Sequence, residues 1–276
     1  MAKVYNTGET EEELRKVYNP EGSTLRKAQM RLLDMAIYLQ ETAKKIGIPC
    51  RIDGGNVLGA VRHGGFIPWD DDFDFVVEYE DYKKLAQYLK THPHPDFVFE
   101  DVDAETLMPW GRIIDKRSEC MSPYVENSRE AKAFMRKKNK GLQVDIFPYE
   151  GYMIPKLQRI AAKMSCAVYF DIAEKSKPLA QVMFVALHKI VYPLFRCVGR
   201  IFGNKNCYMH SYGAWFYFKF PKNLLVPHKQ LIFEGNVFEG PADVDAMLKL
   251  IYKDYMSLPP KDKRAIHALD INFYDE

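Results

Sequence analysis

The chain has 276 residues, 47% hydrophobic, 13% aromatic and 28% charged, enough apolar material to bury the core of one large domain or two closely joined ones. Its 39 Lys and Arg against 37 Asp and Glu leave a formal charge of +2, too weak a field to indicate nucleic acid as a partner. The cysteines (Cys50, Cys120, Cys166, Cys197 and Cys207) are odd in number and form no C-x-x-C pair, which excludes a disulfide scaffold and implies thiols in a reducing compartment.

Residues 1–22 read as a polar arm ending in Asn19-Pro20-Glu21-Gly22. Met1-Ala2-Lys3 is followed by Glu9, Glu11, Glu12 and Glu13 where a secretory peptide needs an apolar run, so no export signal is expected. Ser23 or Thr24 suits a helix cap. Leu25, Met30, Leu33, Ile37 and Ala43 recur near the helical period, with Gly47 as the stop. A strand is expected over 48–53, then Gly54-Gly55 and a short helix over 56–62. A loop containing Gly64-Gly65 and Pro68 leads to Asp70-Asp71-Asp72-Phe73-Asp74-Phe75-Val76-Val77, whose end alternates acid and apolar residues as a strand does. A helix near 79–91, strands near 97–101 and 110–115, a helix over 125–140 and a strand over 142–147 complete the front half. Residues 23–150 thus read as a mixed α/β catalytic core. Residues 151–276 read as a mainly helical region packed on it, with helices over 155–203, a hairpin over 231–238, a helix over 241–253 capped by Pro241 and Asp243, and a short one over 259–267. The longest apolar stretch, Pro178 to Gly203, is interrupted by His188, Lys189, Pro193, Arg196 and Arg200, so a cytoplasmic protein without a membrane-spanning helix is expected.

Four aspartates in five positions repel one another and need a reason. On a strand, Asp72 and Asp74 share a face about 6.6 Å apart at 3.3 Å per residue. Phe73, Phe75 and Val77 then point into a core. Asp145 repeats the pattern in Gln143-Val144-Asp145-Ile146-Phe147. Three carboxylates on adjacent strands make a hard-oxygen site for Mg²⁺ or Mn²⁺ beside phosphate oxygens. A calcium loop is the rival for Asp70, Asp72 and Asp74, but Phe75 replaces its required Gly and Asp81 its final Glu. Gly54-Gly55 before a helix lets backbone approach an anion. The order strand, Gly-Gly, helix, loop, Asp-x-Asp is the layout of a nucleotidyltransferase fold.

The block from Gly54 to Asp74 resembles the signature of the LicD family, the bacterial phosphocholine transferases related to fukutin-type ribitol-phosphate transferases. Val144-Asp145-Ile146-Phe147-Pro148 resembles its second block. Its carboxyl-terminal block is matched by Phe233-Glu234-Gly235 through Tyr255-Met256, Pro259-Pro260 and Arg264 to His267. The resemblance implies a nucleotidyltransferase-like α+β fold, a divalent metal, and transfer of a phospho-alcohol from a CDP-linked donor to a hydroxyl of a cell-surface glycan or its lipid-linked precursor, with CMP released. Carried over by position, Asp72, Asp74 and Asp145 are the metal-binding and catalytic carboxylates. Asn56 stands where the family usually has Thr or Ser, and the zinc-binding cysteines of fukutin-related proteins are missing, since Cys207-x-x-His210 is an isolated pair.

Beside Gly54, Gly55 and Asn56, the candidates for substrate contact are Arg62, Arg112 and Arg264 as phosphate forks, with His63 and His267 from the matched blocks. Trp69 could stack on a base or a choline. With 17 Tyr, 17 Phe and three Trp, the sequence does not single out a choline cage. Residues 156–205 carry nine Lys or Arg against Asp171 and Glu174; Lys189, Arg196 and Arg200 share a helix face that would rest on an anionic inner leaflet. Three rivals remain: a nucleotidyl transferase using free NTP, an Asp-x-Asp glycosyltransferase, and a catalytically silent nucleotide-binding relative.

Overall fold

The computed structural model describes residues 4–121, 125–264 and 270–274. Helix α1 (Glu11–Tyr18) is closed by a capping box between Thr10 and Glu13. Helix α2 (Thr24–Lys45) is capped by Ser23, whose hydroxyl accepts from the Arg26 N–H. It ends before Gly47, whose φ of +71° is left-handed backbone that favours glycine. The expected polar arm therefore holds a formed helix, and it contributes Tyr5 and Leu14 to the main core.

Strand β1 (Arg51–Ile52) is shorter than expected, and α3 (Gly54–His63) begins at the glycine pair itself. Then come β2 (Phe73–Glu78), α4 (Tyr79–Thr91), β3 (Phe97–Glu100), β4 (Gly111–Asp115), β5 (Ser118–Cys120), α5 (Arg129–Met135) and β6 (Gln143–Gly151). Helix α5 is half the length expected from 125–140. It ends where Lys137, Lys138 and Lys140 crowd like charges and Gly141 approaches β4. A Cβ at Gly141 would lie 1.9 Å from the Asp115 carbonyl oxygen, so only glycine fits there.

The sheet runs β1-β2-β6-β4-β3, and the far half of β6 also pairs with β7 (Cys207–His210), which pairs with β8 (Phe220–Pro221). Among the described strands only β2 and β6 pair in parallel; the sheet is mixed, curled and flanked by helices, a nucleotidyltransferase-like α+β core. One sheet face carries Phe73, Phe75, Val144 and Ile146 against α2 and the hairpin β9 (Lys229–Phe233) to β10 (Asn236–Gly240). Phe66, Phe73, Phe233 and Phe238 meet there at ring distances of 4.8–6.1 Å. Each fully buried ring stabilises by about 2–3 kcal/mol. The opposite face carries Val76, Phe147 and Tyr149 against the helical region.

That region consists of α6 (Pro155–Cys166) continued by π-helical Ala167–Ile172 and α7 (Ala173–Lys175), then α8 (Lys177–Ala186), π-helical Leu187–Val191 and α9 (Tyr192–Phe202). Neither His188 nor Pro193 breaks the second run: Lys177–Phe202 is one continuous helix of 26 residues, long and apolar enough by length and composition to cross a membrane. Pro193 sits in the first turn of α9, and the π turn before it takes up the change of register. Arg196 does not lie on a free basic face. Its guanidinium forks onto Glu150 at 2.8 and 2.9 Å and lies 4.2 Å over the Tyr79 ring. Helices α10 (Lys222–Leu225) and α11 (Val244–Tyr252, capped by Asp243), a 3-10 turn at Lys261–Lys263, where a helix over 259–267 was expected, and strand β11 (Ile271–Phe273), paired with β5, complete the described elements.

His188 links this region to pH. Its ring stacks on Phe184 at 3.9 Å, Nδ1 meets the Phe184 carbonyl at 3.0 Å, and Nε2 is buried without a partner. Burial pushes its pKa down from 6.5 to about 4. Between those values the unfolded chain binds a proton that the folded chain refuses, so this stability is complete above the window and is lost as pH falls through it. At about pH 5 the loss is about 2 kcal/mol. A His188→Leu variant should therefore lose less stability than wild type between neutral and mildly acidic pH in urea melts. An equal loss would place the proton elsewhere.

Candidate active site

Because β2 alternates, the phenylalanines that enter the core leave Asp74 on the other face of the sheet. Strand β6 does the same with Asp145, and the parallel register sets Asp74 directly beside Asp145. Burial first, then the charges of Asp72, Asp145, Asp70 and Asp53, hold the Asp74 pKa well above the usual carboxylate range. Burial also raises Asp145, opposed by Arg112, its register partner on β4, and by Lys137. Gln143 donates to Asp145 only at 3.4 and 3.5 Å. The Trp110 indole N–H is close enough to favour the charged carboxylate but is buried without a hydrogen bond of good geometry. Just upstream, Asp70, Asp71 and Asp72 each place a carboxylate oxygen within 4.8 Å of the others.

The start of α3 faces this cluster. Gly54 has φ +49°, and a Cβ there would lie 3.8 Å from Asp74 Oδ2. A Cβ on Gly55 would lie 3.1 Å from Asp70 Oδ2, tighter than ordinary contact. Asn56 acts as a clamp on the acidic segment. Its Oδ1 accepts from the Asp74 N–H at 2.7 Å and its Nδ2 donates to the Asp72 carbonyl at 3.2 Å. The positive end of the helix dipole thus points at carboxylates held beside it.

Several participants are invisible to sequence reasoning. Asp53, the residue before α3, receives Arg51 Nη1 at 2.8 Å and His210 Nε2 at 3.5 Å. Burial opposes its charge, but Arg51 and His210 hold its pKa down at about 2. Arg51 is fully buried, donates to the Tyr149 hydroxyl at 2.7 Å and lies 5.1 Å over that ring. Tyr252, from α11, is held above its usual pKa by burial and then by Asp53, Asp70 and Asp74. Only an arginine beside an aspartate two residues on, at the end of an expected strand, hinted at the first pair.

On the other flank lies a cavity of about 410 Å³ lined by Glu100, Arg112, Arg136, Lys137, Asn139 and Tyr169 among others. Arg112 is buried and donates to Glu100 Oε2 through Nε at 2.8 Å and Nη2 at 2.5 Å. Burial, then Arg112, pushes Lys137 down to about 8, against the pull of Asp145 and Glu100. Arg112, Arg136, Lys137, Lys138 and Lys177 outnumber Glu100, Asp103 and Glu105 in its lining, a net basic vestibule that reaches Asp145 through the charges of Arg112 and Lys137.

The remaining candidates form a separate brace. Arg62 Nη1 donates to the carbonyls of Tyr255 at 2.9 Å and Ser257 at 3.2 Å. His63 meets Glu11 at 2.6 Å. Arg264 pairs with Glu9 at 2.7 and 3.0 Å and lies 5.0 Å over the Trp69 ring, which in turn packs edge-on against Tyr18. These contacts tie the amino-terminal segment and the carboxyl-terminal block to α3; Arg62 and the site carboxylates Asp53, Asp70 and Asp74 both act on Tyr252. His267 lies outside the described residues.

Paired aspartates on adjacent strands, with a Gly-Gly helix start beside them, define a site of the nucleotidyltransferase class. A model of the family described as LicD/FKTN/FKRP, nucleotidyltransferase domain, matches residues 47–188, and the chain belongs to the LicD family. It is 27% identical to the lipopolysaccharide cholinephosphotransferase LicD of Haemophilus influenzae over 276 residues, covering 89% of this chain and 96% of that protein. It is 29% identical to the ribitol 5-phosphate transferase FKRP of Mus musculus over 121 residues, 43% of this chain and 20% of that protein. A stretch of 49 residues is 47% identical to the uncharacterized protein RP689 of Rickettsia prowazekii, 18% of each.

Proposed function

We propose that the chain transfers a phospho-alcohol, phosphocholine or a similar group, from a CDP-linked donor to a hydroxyl of a glycan or its lipid-linked precursor, releasing CMP. The observation that carries this reading is the register of Asp74 against Asp145 beside the α3 glycines, in a family whose relatives transfer choline phosphate and ribitol 5-phosphate. An all-carboxylate donor set, with Asp74 held above the usual carboxylate range by burial and then by its acidic neighbours, fits a hard divalent cation. Asp72, Asp74 and Asp145 would hold Mg²⁺ or Mn²⁺, which supplies charge neutralisation at the donor diphosphate. The α3 amides approach the phosphate oxygens where Gly54 and Gly55 leave room. Arg112 and Lys137 bind the nucleotide side of the donor in the basic vestibule. Asp145, raised by burial, takes the proton of the acceptor hydroxyl as its oxygen bonds to phosphorus; the bond from that phosphorus to the bridging oxygen breaks and CMP leaves with the electron pair.

The test incubates the full chain and Mg²⁺ with CDP-choline, CDP-ribitol and CDP-glycerol, each with lipopolysaccharide acceptor, and follows CMP. Acceptor-dependent CMP from one donor is expected. Pyrophosphate from CTP, or no CMP from any donor, would overturn the reading.

A further inference from the structure

The helix Lys177–Phe202 has two apolar faces, and the protein covers only one. Ala180, Phe184, Leu187 and Tyr192 are buried against the second core. On the opposite side Leu179, Val182, Ile190, Leu194, Ile201 and Phe202 are 53–76% exposed. Their spacing makes them one stripe. Leu179, Val182 and Val185 step by three, and Ile190, Leu194 and Ile201 step by four and seven. The five-residue step from Val185 to Ile190 crosses the π-helical Leu187–Val191, whose wider turn absorbs the extra residue. The π turn thus keeps an exposed apolar line continuous along about 35 Å of helix.

The charges say what covers it. From Lys175 to Lys229 the chain carries nine Lys or Arg, and no Asp or Glu occurs from 175 to 233, in a molecule whose net charge is only +2. Lys177, Lys189 and Arg200 are exposed on the same helix. A second copy docked face to face about a two-fold axis would set these cations against one another. An anionic bilayer surface complements both the apolar stripe and its basic rim. We infer that this helix lies in the headgroup region of an anionic membrane leaflet, its stripe dipping toward the acyl chains and its inner face still in the protein core. Since Phe184 and Tyr192 stay buried in that core, the helix lies on the membrane and does not cross it. The inference concerns where the chain sits and stands independently of the donor chemistry.

The test floats the full chain with vesicles of phosphatidylcholine alone and of phosphatidylcholine mixed with phosphatidylglycerol. Binding to the anionic vesicles is expected, reversed by high salt and by alkaline carbonate. Partitioning should fall at least about tenfold for Ile190→Glu with Leu194→Glu, and for Lys189→Glu with Arg200→Glu, with melting temperatures unchanged because all four residues are exposed. Absence of flotation, binding indifferent to the apolar pair, carbonate-resistant insertion, or a solution dimer split by the apolar pair would each overturn it. CMP release from soluble donor and acceptor is measured in parallel, so that failure at the membrane is distinguishable from failure of the transferase reading.

Discussion

Turnover of an Asp74→Asn variant should fall by about 10²–10³-fold or more, while the folded protein melts higher than wild type at mildly alkaline pH. The two effects have one cause. Asp74 is ringed by Asp53, Asp70, Asp72 and Asp145, and burial with this repulsion keeps its carboxyl well above the ordinary range. A folded-state pKa above the unfolded value gives stability that is complete at low pH and lost as pH rises. Asparagine has nearly the same shape, carries no charge, and leaves the Asn56 clamp on the backbone N–H intact. The gain in melting temperature should therefore grow with pH, starting above the ordinary carboxylate range. Mg²⁺ should narrow the gap by stabilising wild type alone, because a ligand that binds only the native state raises its stability. A variant with near-normal CMP release, or one that melts lower than wild type at alkaline pH, would separate Asp74 from the chemistry.

The pairing of Asp74 with Asp145 was legible in the sequence because strand alternation is a local rule; Asp72, expected on the same strand face, lies exposed just before β2, which begins at Phe73. Phe73, Phe75, Val144 and Ile146 had to be buried, so Asp74 and Asp145 had to share the other face. The expected helices at 79–91 and 241–253 and the hairpin near 231–238 follow from equally local periodicity and capping. Long-range placements were not readable. Nothing near Arg62 or Arg264 in the chain announces that one spends its guanidinium on the carbonyls of Tyr255 and Ser257 and the other on Glu9. Strands β7 and β8 are short and take their partners from the late half of β6 and from each other, so their sequences carry little alternation. The close approach of Gly141 to the Asp115 carbonyl, past the end of α5, is again a contact between distant residues.

Removing the Asp53 carboxylate should cost more stability than removing any exposed charge, about 3–5 kcal/mol for Asp53→Ala. Arg51 would then be a guanidinium fully inside the protein that keeps, among the described residues, the Tyr149 hydroxyl and ring and one long contact to the Ile52 carbonyl. For a chain of this size that is a fall of about 6–20 °C in melting temperature. Arg51→Met leaves the reverse problem, a carboxylate near Asp74 with only His210 at 3.5 Å. Combining Arg51→Met with Asp53→Ala removes both charges, so the double variant should be more stable than the sum of the single losses predicts, by about 1–3 kcal/mol of coupling. Acid titration gives an independent sign: the Asp53 pKa of about 2 lies below its unfolded value, so the pair's contribution is complete at neutral pH and lost as pH falls toward 2. If urea midpoints of the single and double variants add without coupling, Arg51 and Asp53 do not act as a pair. Coupling would mean that the segment leading into Gly54, and with it the approach of the α3 amides to Asp74, is held by a buried salt bridge.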